Sequence, residues 1–180
     1  RLERDPLEHL DLADWSGIIL GGGPFNVSDP QHFKSQAQLR VEAELRELAE
    51  RVIEADFPFL GACYGIGTLG GLGGGIIDRT YSEPVGCAHI TLSDEGRADP
   101  LFGVLPPSFD AFLGHKEAVR VLPAGAVLLA SSPACPVQGF RLGRHVYATQ
   151  FHPELDVEGL CTRVDVYRHH GYFDPDEVDD

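Results

Sequence analysis

The stretch Phe57-Pro-Phe-Leu-Gly-Ala-Cys-Tyr-Gly-Ile-Gly-Thr-Leu69 decides the fold. Its apolar opening, Phe57–Leu60, predicts a short buried strand, and Tyr64 to about Leu72 predicts a helix directly after it. Between them stands Cys63, with a glycine two residues before it and another two residues after it. A cysteine that only packs has no need of flanking glycines. A nucleophile on a sharp strand-to-helix turn does, because neighbouring backbone has to come close without meeting a Cβ. In that arrangement the helix N-terminus faces the sulfur and favours a thiolate. The N–H of Tyr64 then lies beside the reacting centre, able to donate to an oxyanion. The spacing alone leaves Cys63 open between packing and attack.

Upstream, Trp15–Leu20 is a short, β-branched apolar run stopped by Gly21-Gly22-Gly23-Pro24, which predicts a strand and a tight loop. Neither G-x-G-x-x-G nor G-x-x-x-x-G-K-S/T fits this loop, and Pro24 lacks an N–H, so a dinucleotide site is not expected. A glycine loop at a strand end can still turn backbone N–H groups toward developing negative charge. Asp29-Pro30 is expected to open a helix that runs to about Asp56. Val41, Leu45, Leu48 and Val52 form its apolar stripe, with Glu42/Arg46 and Glu47/Arg51 as outer-face pairs.

Downstream, glycines 70–75 cap the second helix, and short strands follow at 76–79, 87–92, 109–113, 119–122 and 126–130. A hairpin, 137–142 and 145–151, turns at Gly143-Arg144, and a last helix from Leu160 to His169 ends at Gly171. Strand–helix alternation in the first half and strand-rich sequence in the second predict an α/β fold, a mainly parallel sheet with helices on both faces. One domain, 1–180, is expected, with 174–180 as an acidic tail. The fifteen largely polar residues before the first strand suggest that a leading βα unit is missing from this chain.

The second chemical signal is Gln150-Phe151-His152-Pro153-Glu154. In an extended strand, residues i and i+2 face the same way, so His152 and Glu154 are expected to project together. Pro153 holds His152 in extended backbone. A carboxylate on one imidazole nitrogen fixes the tautomer and leaves the other nitrogen for proton transfer. Nucleophile, base and orienter are then all supplied.

Composition removes other classes of function. The 180 residues carry a formal charge of −14, which disfavours nucleic acid and anionic membrane surfaces. No apolar run approaches the roughly 20 residues of a membrane span. The four cysteines at 63, 87, 135 and 161 have neither disulfide-framework nor zinc-knuckle spacing. A reducing, cytoplasmic setting is expected. Cys87, Cys135 and Cys161 lack glycine flanks and read as packing or surface residues. His169-His170 at a helix end lacks further metal ligands in the sequence.

Gly-Ala-Cys-Tyr-Gly, the Ile-Ile-Leu-Gly-Gly-Gly-Pro loop and Gln-Phe-His-Pro-Glu, in this order, resemble the class I (triad) glutamine amidotransferases. The resemblance runs from about Trp15 to Glu154. It includes the amidotransferase part of GMP synthase and stand-alone proteins like it. It implies a flavodoxin-like three-layer sandwich, with a strand and helix ahead of Trp15. It also implies that Cys63 attacks a glutamine side-chain amide, that His152 moves the proton and that Glu154 orients His152, giving glutamate and ammonia through a thioester. Gly23 and Tyr64 would supply the oxyanion hole. Gly22, Gly67, Gly114, His115 and Lys116 would line the substrate pocket. No metal or organic cofactor is implied, and any synthetase would be a partner. Where the family often has Gln four residues after the nucleophile, this chain has Gly67. A γ-glutamyl amide or peptide hydrolase, or a non-catalytic regulatory homologue, is therefore the alternative. His115 stands open between a pocket residue and a solvent-exposed one.

Overall fold

The computed structural model describes residues 2, 4–7 and 10–167. The expected end of the last helix, His169-His170 and the acidic tail lie outside them. In chain order the strands are β1 Ile18–Leu20, β2 Phe59–Ala62, β3 Ile76–Asp78, β4 Glu83–Leu92, β5 Ser108–His115, β6 Ala118–Val121, β7 Val127–Ser131, β8 Gly139–Leu142 and β9 Val146–Thr149. The helices are α1 Gln36–Glu54, α2 Tyr64–Gly70, α3 Asp94–Ala98 and α4 Val157–Tyr167.

A seven-stranded sheet runs in the order β1-β2-β9-β8-β7-β4-β5, and β3 pairs with β6 in a small second sheet. The parallel part is β1-β2-β9. The strand-rich second half continues the same sheet in antiparallel pairing from β9 to β5. The expected hairpin is β8–β9. Helix α1 lays its predicted stripe, Val41, Leu45, Leu48 and Val52, on one face, where Phe59, Ile66, Leu69, Phe140, Val146 and Ala148 join it. Each such side chain contributes about 1.5–3 kcal/mol when fully buried. The opposite face carries a second cluster with Ile90, Leu92, Leu129, Tyr147 and Phe151, closed by Phe102 from a short helical turn at 102–104. Val146/Ala148 and Tyr147 lie on opposite faces because strand side chains alternate.

Three local expectations change. The stretch after Asp29-Pro30 is a single 3-10 turn at 31–33, and α1 itself starts after Ser35, whose side chain accepts from the Gln38 N–H. Ser35 is a strong cap with a free oxygen; Pro30 has no side-chain acceptor to offer. The outer-face pairs also differ. Arg40 pairs with Glu44 and Arg46 with Glu50, while Glu42 accepts from Lys34 and Gln38. Arg40 and Arg51 donate to the carbonyls of Leu2 and Leu10, so the leading segment binds along α1 and competes for those cations. Finally, α4 begins at Val157, ahead of the expected Leu160. Among the described residues strand β1 borders only β2, and its Ile19 is 78% exposed.

Candidate active site

Strand β2 hands the chain to α2 through Cys63, which holds φ 54°, ψ −97°. Such backbone costs a non-glycine residue about 1–3 kcal/mol and persists only where its surroundings enforce it. Two glycines allow the turn. A Cβ on Gly61 would lie 2.8 Å from the Gly65 carbonyl carbon, and one on Gly65 would lie 3.0 Å from the Leu20 carbonyl oxygen. The glycines therefore pack on each other and on β1. The turn is fastened to β9, because the Cys63 N–H donates to the Thr149 carbonyl at 2.8 Å.

That pairing also brings in the histidine. In the parallel register Ala62 lies opposite Thr149, so residues just past the two strands' carboxyl ends meet, as in other open α/β sheets. His152 sits three residues beyond Thr149, and its N–H donates to the Phe112 carbonyl. Strand β9 ends at Thr149, so the reason expected for the His152–Glu154 geometry is corrected. The two side chains meet across a turn that follows the strand, Nδ1 to Oε1 at 2.7 Å. His152 is buried, and burial disfavours its charged form. Its hydrogen bonds to Cys63 and Glu154, and the charges of both, outweigh that and push its pKa up to about 9. Glu154 keeps 43% of its side chain exposed.

A cavity of about 20 Å³ lies beside Cys63, lined among others by Gly23, Asn26, Tyr64, Gly67, His115, Glu117 and Gln150. A family model for class-I glutamine amidotransferases matches residues 2–171. The chain belongs to that family. Curated relatives include the glutamine-hydrolyzing GMP synthases of Thermosipho africanus, 32% identical over 82% of this chain, and Listeria welshimeri, 31% identical over 83%. The chain spans about a quarter, 26%, of the length of each. The fold is shared with a glutamine amidotransferase from Thermotoga maritima, with TM-score 0.76 and 22% identity over 94% of this chain and 69% of that one. A glutamine amidotransferase from Methylobacillus flagellatus gives TM-score 0.72 at 21% identity, over 91% of this chain and 61% of that one.

In this class-I amidotransferase domain the structure gathers Gly23, Tyr64, Gly67 and His115 around Cys63. Gly114 and Lys116 line a neighbouring pocket of about 340 Å³ that shares His115. Gly22 borders neither. His115 is buried, which decides the question the sequence left open. Its Nδ1 meets the Glu117 carbonyl and its Nε2 meets Glu83 Oε2, both at 3.0 Å. Burial lowers its pKa, against the hydrogen bond and charge of Glu83.

Gln138 donates to the same Glu83 oxygen at 2.7 Å and to Ser132. Glu83, His115 and Cys135 place ligand atoms within 4.8 Å of one another, a set that could hold a cation. Cys135 instead donates to the Val137 carbonyl, and burial pushes its thiol up to about 11. Cys87 and Cys161 are exposed. Glu83, Asn26 and Gln150 are parts of the site's surroundings that sequence reasoning missed. Glu83 and Asn26 come from separate segments with no pattern to mark them; Gln150 stands in the Gln150–Glu154 motif but is given no task by it.

Proposed function

We propose that this chain is a glutamine-hydrolysing amidotransferase domain in which Cys63, His152 and Glu154 act together. The observation that carries the reading is the pairing of a strained, glycine-flanked Cys63 with a carboxylate-oriented His152 at adjacent strand ends. The Cys63 sulfur attacks the side-chain amide carbon of glutamine, and the carbonyl oxygen takes up negative charge. Backbone N–H groups of Gly23 and Tyr64 stabilise that charge. His152, a cation at neutral pH, gives its proton to the amide nitrogen, and the C–N bond breaks to release ammonia. The neutral imidazole then takes a proton from water, which attacks the thioester and frees glutamate and the thiol.

Incubation with glutamine should release ammonia and glutamate in equal amounts, and Cys63→Ala should abolish both. Turnover that survives this substitution overturns the mechanism. A second reading, hydrolysis of γ-glutamyl amides or peptides, draws support from Gly67 and is tested by offering those compounds beside glutamine. Relatives named as whole GMP synthases support a further proposal, that the ammonia goes to a synthetase partner. Co-purification with a synthetase tests it. Four unpaired cysteines fit a reducing, cytoplasmic setting, and no helix among the described residues is long and apolar enough to cross a membrane.

A further inference from the structure

The pocket beside Cys63 is narrow, about 20 Å³, and a γ-glutamyl side chain has to reach the sulfur through it. One wall is the loop 24–30, which follows β1 and supplies Phe25 and Asn26 to the lining.

The buried fastening of this loop comes from across the molecule. The Val27 N–H donates to Glu117 Oε1 at 2.8 Å, and the Ser28 N–H donates to Glu117 Oε2 at 2.7 Å. Both oxygens of one buried carboxylate thus hold two successive backbone amides of a segment about ninety residues away. Glu117 is itself fixed, because its carbonyl meets the buried His115 ring. Lys34 donates to the Val27 carbonyl and Gln38 to the Asn26 carbonyl from nearby in sequence, while Arg79, fifty residues away, pairs with Asp29 at the exposed end of the loop.

Gly67 is what makes room for this clasp. A Cβ there would lie 3.2 Å from Glu117 Oε1 and 3.4 Å from Val27 Cγ2. A longer side chain, such as the glutamine expected from the resemblance, would compete with the carboxylate and the loop for one space. Gly67, Glu117 and Val27 are therefore one packing unit.

We propose that Glu117 is a latch on the loop that borders Cys63. Its carboxylate holds loop 24–30 closed over Cys63, and the γ-glutamyl substrate enters only when the Val27 and Ser28 amides let go. The inference rests on Cys63 as the nucleophile, but its test does not use glutamine. Glu117→Gln keeps the shape and removes the charge, leaving one acceptor oxygen for two amides. Glu117→Ala removes both.

Two measurements on the full chain follow the latch. Alkylation of Cys63 by iodoacetamide, read by peptide mass spectrometry to separate it from exposed Cys87 and Cys161, should quicken at least tenfold in Glu117→Ala and severalfold in Glu117→Gln. Amide exchange should quicken at least tenfold at Val27 and Ser28 while residues 41–52 of α1 keep their protection. Unchanged alkylation in folded Glu117→Gln overturns the proposal. So does exchange that quickens throughout α1, which marks a general structural role. If Glu117→Ala does not fold, Glu117→Gln decides alone. A protein that alkylates and exchanges as stated but never hydrolyses glutamine refutes the proposed activity and leaves the latch standing.

Discussion

Two buried histidines near Cys63, each touching a glutamate, have pKa values shifted in opposite directions. His152 is 6% exposed and His115 is 5% exposed, so burial does not separate them. Nor does the presence of a carboxylate, at 2.7 Å in one case and 3.0 Å in the other. In both, desolvation is the largest influence and opposes the charged ring. At His152 the thiol adds a second hydrogen-bonding partner, and Cys63 with Glu154 together overcome the desolvation. At His115 the hydrogen bond and charge of Glu83, with the hydrogen bond to the Glu117 carbonyl, do not overcome it, and the charge on His152 adds repulsion. The pair teaches that a carboxylate contact is not enough to keep a buried imidazole charged.

Removing the thiol should break the contrast most severely. Cys63→Ala is expected to lower glutamine turnover by about 10⁴-fold or more, and to bring the His152 pKa down toward its ordinary value in an NMR titration. Glu154→Gln strikes the other partner. A loss of about 10²-fold in kcat is expected, with the alkaline limb of the kcat profile moved down by roughly one unit, read from the rate between pH 6 and 10.

A smaller effect concerns stability. His152 has a folded pKa of about 9 against an ordinary 6.5, so its contribution is complete below pH 6.5. That contribution is lost as pH rises through 9, by on the order of 3 kcal/mol. Denaturant titrations at pH 6.5 and 9.5 should show the loss in the wild type and much less of it in Cys63→Ala. His115 has the opposite sign. Its lowered pKa favours the neutral ring, a contribution present above pH 6.5 and lost as pH falls toward the folded value. Glu83→Gln should sharpen this, lowering the His115 pKa further while costing about 2 kcal/mol through the disturbed contacts to His115 and Gln138. Urea unfolding and the histidine ring resonances measure both.

The catalytic candidates were legible because each carries a local reason for its neighbours. Gly61 and Gly65 announce a crowded turn at Cys63, and their missing Cβ atoms prove to be the space in which the turn packs. Pro153 between His152 and Glu154 announces a fixed relation of two side chains, although the geometry comes from a turn instead of a strand. The stripe of α1 was legible from its period. The cation partners of α1 and the burial of His115 were not, because each depends on segments distant in sequence that reach the same place.

The sequence by itself determined the elbow, the order of strands and helices apart from α3, and the three candidate catalytic side chains, since these follow from local spacing. Tertiary structure alone decided that β2 and β9 lie side by side in parallel, which turns residues 63 and 152 into neighbours. It alone decided that the space left by Gly67 is taken by Glu117 and the Val27 loop. Local chemistry can state what a residue is able to do. Which groups share its low-dielectric surroundings, and hence which charge it keeps, is settled only when the chain closes on itself.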